Sequence, residues 1–323
     1  MRMDVAGRIG PTIALTLCRS LLVIAVLLAS EHPLSAACGK TGVALQVLGS
    51  GGPRGRDDRA QAGYLVWVDG KARVMVDAGA GTFIRLKESG ADRQQIELLA
   101  LSHFHPDHAS EVPGLLWSGV RRQLSISGPS GSEGFPSLDA FLSALVGRTT
   151  SAFPVLGPVV ELQQVTVDVR KNDPTEVYSQ NGLRVTGIGV PHRDVPSVGY
   201  RIDVGGVSIA FGGDQTGTNP AFAQLVKAVD VLVLHLTVSE DVVGFLAELH
   251  AKPSAVGRVA AEAAPGLLVL SHLGTEDRGS PNYRSLSLSN LAGSLQHVRK
   301  NYGGPFLVAK DLECVPVRTA VKR

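Results

Sequence analysis

One short segment of the chain is dense in side chains that bind metal ions. Residues 102–108, Ser-His-Phe-His-Pro-Asp-His, place three histidines and an aspartate within six positions. Imidazole nitrogens and carboxylate oxygens suit zinc, and also iron or manganese. The spacing lets His103 and His105 share one ion while Asp107 and His108 face a second. The alternative is a surface histidine cluster, but four potential ligands at this density favour a metal site.

Further potential ligands follow apolar runs elsewhere in the chain. The run Ile96–Leu101 leads into the first cluster, and His192, Asp214 and His272 each follow a run that predicts a buried strand. Strand ends are rigid places from which loops can aim several side chains at one point. The alternative for Asp214 is an aspartate that caps the following helix. We therefore expect four strand ends to converge on one site.

The hydrophobic pattern that must position these residues mixes hairpins with strand–helix–strand units. Two β-rich runs flank Asp69-Gly70, which is a hairpin signal. Helices are predicted over residues 82–89, 138–146, 220–229, 253–264 and 286–300, whereas residues 147–182 predict loops with one or two strands. This mixture favours an α+β class in which mixed sheets are covered by helices within one domain, residues 38–323.

The first 37 residues have the pattern of a secretory signal peptide. Arginines precede nine unbroken apolar residues, Leu21–Ala29, and Ser35-Ala36-Ala37 fits a cleavage site. Nine residues do not span about 30 Å of hydrocarbon. We expect a periplasmic or secreted protein without stable membrane insertion after cleavage. The alternatives are an uncleaved anchor over residues 12–29 and a lipoprotein with Cys38 lipidated.

Cleavage before Cys38 leaves two cysteines in the mature chain, Cys38 and Cys314. Because an exported protein meets an oxidising compartment, a bridge between them is plausible. The alternative is two unpaired thiols near the chain ends. Neither cysteine lies near the histidine motifs, so neither is predicted to bind metal.

Composition and charge narrow the function classes. The 323 residues are 44% hydrophobic and 19% charged, which is typical of a globular protein, and the formal net charge is +2. Lysine and arginine never run beyond two in a row, so the sequence lacks the basic patch of a duplex-binding protein. Weak binding to single strands stays open.

The ordered set of ligands resembles the metallo-β-lactamase superfamily. Asp77, in Val-Asp-Ala-Gly at 76–79, matches that family's first motif, a structural aspartate that braces the ligand loop. The resemblance covers roughly residues 43 to 309 and implies an αββα sandwich with metals at one edge. It implies one ion held by His103, His105 and His192, a second held by Asp107, His108 and His272, and Asp214 as the bridge.

The finer resemblance is to ribonuclease Z, cyclic-nucleotide phosphodiesterases and arylsulfatase-like enzymes. His235-Leu236-Thr237 stands where ribonuclease Z has His-Glu-Ala-Thr, and His250-Ala251-Lys252 stands where it has His-Ser-Thr. Both depart from the pattern beyond the histidine. His250 is predicted to steady a developing negative charge, with an ordinary surface histidine as the alternative. His235 is interpreted as a structural strand residue, with a role behind the ligands as the alternative.

One departure from ribonuclease Z concerns its partner. Ribonuclease Z carries a long tRNA-clamping arm between the motifs that correspond to His192 and Asp214, whereas 21 residues separate them here. Together with the export signal, this leads us to expect a small-molecule ester substrate and no tRNA. Relatives often dimerise, so a homodimer is open.

The expected function is an exported dinuclear-metal hydrolase that cleaves phosphodiester or related ester bonds. Two divalent ions, with zinc expected and manganese or iron open, would lower the pKa of a bridging water to about 7. Asp107 and His250 are the predicted catalytic residues. The alternatives are an arylsulfatase, a lactonase or a β-lactamase-type hydrolase on the same metals. A non-catalytic metal-binding protein is disfavoured because the ligand set is complete.

Overall fold

The apolar runs of the sequence become strands of two mixed sheets. The computed structural model describes residues 38–53, 57–117, 122–147, 150–158, 160–274 and 285–318. The expected leader, residues 1–37, lies outside the described residues. In the described parts the strands are β1 (Val43–Gly49), β2 (Gly63–Val68), β3 (Lys71–Val76), β4 (Leu98–Ala100), β5 (Arg122–Pro129), β6 (Val160–Val167), β7 (Thr175–Gln180), β8 (Leu183–Val190), β9 (Ser197–Val204), β10 (Val207–Phe211), β11 (Val231–His235), β12 (Leu267–Ser271), β13 (Phe306–Val308) and β14 (Cys314–Val317).

Each sheet is antiparallel in one half and parallel in the other. The strand orders are β14-β1-β2-β3-β4-β5-β6 and β13-β12-β11-β10-β9-β8-β7. In the first sheet β3, β4, β5 and β6 run parallel, and in the second β10, β11, β12 and β13 do. Strand β2 is antiparallel to both β1 and β3, so β1 runs in the same direction as β3. Strand β9 is likewise antiparallel to both β8 and β10, so β8 runs in the same direction as β10. The carboxyl ends of the strands that precede the predicted ligands therefore share one edge of their sheet.

Helices cover the outer faces of both sheets. They are α1 (Thr82–Glu88), α2 (Pro106–Ala109), α3 (Val112–Leu116), α4 (Leu138–Val146), α5 (Pro220–Leu225), α6 (Phe245–Leu249), α7 (Pro253–Ala263) and α8 (Leu291–Asn301), with 3₁₀ turns at Arg93–Gln95, Pro154–Leu156 and Ser287–Asn290. Among the helices that the structure describes, none is both long and apolar enough to cross a membrane.

Three apolar layers hold the two sheets and their helices together. Side chains that alternate along β2 show the division, since Tyr64 and Val66 point into the core between the sheets while Leu65 and Trp67 pack under the helices of the first sheet. A third layer joins the second sheet to its helices, with Phe222 of α5 and Val298 of α8 fully buried. Strands buried on both faces read as continuous apolar runs, which is how the sequence displayed them. The predicted αββα arrangement is confirmed.

A disulfide bond lies near the two ends of the described chain. Cys38 and Cys314 are linked, with Cα atoms 5.6 Å apart, as predicted. Cys314 begins β14, which pairs with β1 at the edge of the first sheet. The bond therefore ties the two ends of the described chain to the same edge of one sheet.

Several element boundaries differ from the prediction for local reasons. The helix expected over 220–229 ends at Leu225, because Ala228 adopts a left-handed φ of 53° and donates its N–H to Ala263. The helix expected from residue 286 begins at Leu291, where the Asn290 side chain accepts a hydrogen bond from Gly293. Strands β5 and β14 were not predicted. The least regular stretch, residues 147–182, contains two strands, as expected.

Candidate metal centre

The first motif lies in the loop that follows β4, and a buried aspartate at the end of β3 holds it. The Asp77 carboxylate accepts hydrogen bonds from the Ser102 N–H at 2.7 Å and from the Ser102 hydroxyl at 2.9 Å. It also lies 2.8 Å from Nδ1 of His108. Asp77 adopts a left-handed φ of 58°, which turns the chain at the strand end. These contacts are those of a bracing carboxylate, the role that the resemblance implied.

A first group of donor atoms joins three predicted ligands to Asp214. The ligand atoms of His103, His105, His192 and Asp214 all lie within 4.8 Å of one another. Nε2 of His103 is 3.0 Å from Nδ1 of His105, and Nε2 of His192 is 3.5 Å from the same atom. Apart from His105, which is half-buried, these residues are buried. Strand ends of both sheets thus deliver donors to one point.

A second group shares Asp214 with the first. Its members are His108, Asp214, His235 and His272, again within 4.8 Å of one another. Nε2 of His108 is 2.9 Å from Nε2 of His272. Asp107 lies against this group, with Oδ2 3.1 Å from Nε2 of His272. All seven predicted ligands are therefore gathered at one place.

Neighbouring atoms orient the histidines. Nδ1 of His192 bonds to the carbonyl oxygen of Leu249 at 2.7 Å, and Nδ1 of His272 is 2.8 Å from the Thr237 hydroxyl. Each contact occupies one ring nitrogen and leaves Nε2 directed at the cluster. Partners behind a ligand that fix its ring and tautomer are typical of metal sites. In the sequence Thr237 was quoted only as part of a motif, without a role, and Leu249 was not singled out, because a backbone carbonyl at a helix end carries no motif signal.

His235 has a larger part in the site than the sequence indicated. Its Nδ1 lies 2.6 Å from Oδ1 of Asp214, and Nε2 is 3.4 Å from the Tyr64 hydroxyl. That hydroxyl donates to Ser271 at 2.9 Å. His235 thus connects the shared carboxylate to the core between the sheets. The interpretation as a structural strand residue is incomplete, because its ring directly contacts a predicted ligand.

The donor set fits divalent cations. Two pairs of imidazole nitrogens face each other at 3.0 and 2.9 Å, and one proton at most can lie between the members of each pair. Two carboxylates, those of Asp107 and Asp214, are buried among these rings with relative exposures of 4% and 1%. Neutral imidazoles and buried carboxylates are the ligands that zinc and related metals prefer. The cluster therefore suits binding of divalent metal.

The buried charges strongly shift the ionisation of the cluster. Burial opposes the charged form of His108, but the carboxylates of Asp77, Asp107 and Asp214 outweigh it and raise the pKa of His108 well above its usual range. Burial would raise the pKa of Asp214, yet the surrounding histidines lower it well below the usual range. The Asp214 carboxylate and the His108 imidazole each stabilise the charged form of the other, and a bound cation would stabilise the charged carboxylate in the same way.

His250, the predicted catalytic histidine, lies beside the shared carboxylate. Its Nδ1 is 3.6 Å from Oδ2 of Asp214, and its ring centroid is 5.5 Å from that of His192. It is 6% exposed, which excludes the alternative of an ordinary surface histidine. Burial lowers the pKa of His250 to about 3, so the ring is neutral at pH 7. Within the described part of the chain, its buried Nδ1 has no hydrogen-bond partner.

The fold and the ordered donors agree with a family comparison. Residues 72–273 match the family model described as the beta-lactamase superfamily domain. The chain belongs to this superfamily. It is a metallo-β-lactamase superfamily hydrolase of the ribonuclease Z-like branch. The resemblance stated from the motifs is confirmed.

Curated relatives match along most of both chains. Ribonuclease Z of Kineococcus radiotolerans is 29% identical, covering 84% of this chain and 95% of the relative. Ribonuclease Z of Mycobacterium marinum is 26% identical, covering 79% of this chain and 95% of the relative.

Solved structures show the same fold. The metallo-beta-lactamase fold protein YhfI from Bacillus subtilis has a TM-score of 0.64 at 18% identity, covering 84% of this chain and 98% of its own. Human tRNase Z, short form, has a TM-score of 0.63 at 19% identity, covering 85% of this chain and 99% of its own.

These relatives correct the predicted partner. A small-molecule ester and no tRNA were expected because only 21 residues separate His192 from Asp214. Strands β9 and β10 indeed take up most of that interval. The matching curated relatives are nevertheless ribonucleases Z. The prediction is wrong, because the length of one interval does not determine which substrate the rest of the surface binds.

Replacement of Asp214 tests the shared position. The variant Asp214→Ala removes the one carboxylate common to both donor groups, so we expect bound metal to fall below half of the wild-type content. Inductively coupled plasma mass spectrometry of protein purified after metal loading would measure it. Asp203→Ala, which removes a strand aspartate paired with Arg201, is the control. Wild-type metal content in folded Asp214→Ala would show that Asp214 is not a ligand.

Proposed function

We propose that this chain is a dinuclear-metal phosphodiesterase that cleaves RNA. The observation that carries the proposal is the pair of donor groups that share the buried carboxylate of Asp214. Ribonuclease Z relatives that align along most of the chain support RNA as the substrate class. Zinc is the proposed metal, since imidazole and carboxylate donors suit it, and manganese or iron would also fit.

Two ions at this site would be held by the seven predicted ligands, with His235 as a further donor at the second. When bound, such ions lower the pKa of water and stabilise negative charge on phosphoryl oxygens. Asp107, whose carboxylate is close to His272 and His108, is placed to accept and return a proton at that position. Asp77 and Thr237, which contact Nδ1 of His108 and of His272, would keep these rings fixed while charge develops.

His250 supplies a donor that the ligands do not. Its ring is neutral, buried and adjacent to the cluster. A neutral imidazole protonated on Nδ1 would donate a hydrogen bond to a non-bridging phosphoryl oxygen. A donor aimed at developing charge stabilises the transition state more than the ground state.

The proposal is tested by a substrate panel with the metal-loaded protein. The panel is a single-stranded RNA oligonucleotide, a precursor tRNA with a 3′ extension, bis-p-nitrophenyl phosphate, p-nitrophenyl sulfate and nitrocefin. We expect cleavage of RNA that EDTA abolishes and added zinc or manganese restores. Turnover of the sulfate or of nitrocefin, without any phosphodiester cleavage, would assign the site to another hydrolase class. Metal binding without turnover on any substrate would indicate a non-catalytic protein.

His250→Ala separates the donor role from metal binding. We expect kcat on RNA to fall by about 100-fold or more, the cost typical of removing one such donor, with metal content unchanged. Steady-state kinetics and metal analysis on the same preparation measure both. His297→Ala is the control, because His297 lies on α8 with a side chain 36% exposed. Wild-type kcat in the variant would remove His250 from the catalytic residues.

We also propose that the chain works in an oxidising compartment, the periplasm or the cell exterior. The Cys38–Cys314 bond and the leader pattern of residues 1–37 support this. Fractionation of cells that express the full chain, followed by thiol labelling, should give a cleaved and oxidised protein outside the cytoplasm. A full-length, reduced protein confined to the cytoplasm would contradict it.

A further inference from the structure

Phe245 is an aromatic residue that the fold leaves exposed beside the metal centre. It is 59% exposed, whereas Phe211 and Phe222 are 3% and 0% exposed. It begins α6, and Leu249 at the end of this helix accepts the hydrogen bond from His192. A helix rises 1.5 Å per residue, so Phe245 lies about 6 Å along the helix from that contact. Phe245 therefore lies one helical turn from the carbonyl that supports the predicted ligand His192.

Arg193 covers one face of this ring. Its guanidinium carbon is 4.7 Å from the ring centroid of Phe245, which is an attractive cation–π arrangement. Its Nε lies 2.9 Å from the Asp194 carboxylate and 3.3 Å from that of Glu248. These two carboxylates hold the guanidinium in position against the ring.

The backbone joins Arg193 directly to a predicted ligand. Arg193 follows His192 and adopts a left-handed φ of 54°, which residues with a Cβ seldom do. The turn is closed by the hydrogen bond from the Val195 N–H to the His192 carbonyl at 3.1 Å. Because of this turn, the imidazole of His192 is buried while the side chain of Arg193 is at the surface. A ligand on Arg193 and Phe245 would thus be fixed relative to the metal centre.

The charges at this position select a neutral planar group. The side chains of Asp194 and Glu248 are 63% and 58% exposed, and together they outnumber the single positive charge of Arg193. A phosphate would be repelled there. A nucleobase presents a flat neutral face, and such faces stack on aromatic rings and on guanidinium planes.

Room for the sugar and a neighbouring base adjoins Arg193. A cleft of about 400 Å³ is lined by Arg193 together with Asn172, Thr218 and Ser132. Amide and hydroxyl groups of this kind form hydrogen bonds with sugars and base edges.

We propose that Phe245 and Arg193, here called the stacking shelf, bind the base of a nucleotide next to the scissile phosphate. The proposal rests on the proposed RNA phosphodiesterase function and adds the substrate contact that fixes the register of cleavage. A partner protein with an exposed aromatic side chain is the competing occupant, and RNA kinetics unchanged from the wild type in Phe245→Ala would favour it over the base.

The test compares an intact single-stranded RNA oligonucleotide with a series in which one nucleotide near the cleavage site lacks its base. For Phe245→Ala we expect kcat/KM on intact RNA to fall about tenfold, mainly through KM, since stacking on one aromatic ring is worth roughly that factor. The loss should disappear on the one abasic substrate whose missing base is the stacked one. Phe245→Trp should restore the wild-type value, and Phe245→Leu should not.

Phe153→Ala is the matched control. Phe153 is 42% exposed but precedes β6, so it lies near the sheet edge opposite to the metal centre. Metal content equal to that of the wild type would show that each variant keeps the site intact. A fall in kcat/KM for Phe153→Ala equal to that for Phe245→Ala would show a general surface effect and overturn the shelf.

The outcomes distinguish failure of the stacking shelf from failure of the proposed RNA phosphodiesterase function. If wild type cleaves RNA and Phe245→Ala cleaves intact and abasic substrates in the wild-type ratio, the shelf is wrong while the phosphodiesterase stands. If wild type neither binds nor cleaves the oligonucleotide in the presence of metal, the proposed function fails and the shelf fails with it.

Discussion

A carboxylate buried among imidazole rings is the interaction on which the site depends. Asp214 is 1% exposed, and histidines delivered by both sheets place a ring nitrogen within 4 Å of it. An isolated charge in a protein interior is very unfavourable unless it is paired. The loops that carry the histidines must therefore hold them in position, and a bound cation satisfies the same requirement. The need to balance the buried charge of Asp214 therefore explains both the positions of the histidines and the suitability of the site for a cation.

The sandwich meets that requirement through strand direction. Parallel strands within each sheet bring their carboxyl ends to one edge, where Asp77 follows β3, the first motif follows β4, and His272 follows β12. The two edges are joined at the site, because Gly51 after β1 pairs with Leu273. Hydrogen bonds from Asp77 and Thr237 then restrict ring rotation. The β-strands fix the positions of the predicted ligands, and the ligands themselves lie in the short loops that follow the strands. This arrangement is common to many enzymes.

The departures from ribonuclease Z fall around the site and leave the ligands unchanged. Leu236 and Ala251 stand where the ribonuclease Z motifs have polar residues. The histidines of these motifs, His235 and His250, are retained, and they lie 2.6 and 3.6 Å from the Asp214 carboxylate. The short interval between His192 and Asp214 is mostly occupied by β9 and β10. In the proposed function, α6, joined to His192 through Leu249, would contribute a substrate contact elsewhere. Substrate binding in this fold is thus assigned to the loops around a constant metal centre.

Much of this protein can be predicted from local sequence. Apolar runs followed by histidine or aspartate identified most of the strands, the seven gathered residues and mixed sheets covered by helices, because periodicity and ligand chemistry are properties of neighbouring residues. The αββα sandwich was an expectation from the resemblance to the metallo-β-lactamase superfamily. The cysteine pair was expected from the two cysteines that remain after the predicted cleavage into an oxidising compartment, with two unpaired thiols as the alternative. Strand β5 was missed because Gln123, Ser125 and Ser127 weaken its apolar pattern, and it becomes a strand by pairing on both sides with β4 and β6.

Only the tertiary structure decided how distant residues meet. His235 appears in the sequence as the last residue of an apolar strand, and its contact with Asp214, 21 positions away, depends on the parallel register of β10 and β11. The juxtaposition of Arg193 and Phe245, and the support of His192 by a carbonyl of α6, depend likewise on packing between segments far apart in the chain. Residue type determines which chemistry a side chain can perform, but the folded packing determines which partners it reaches.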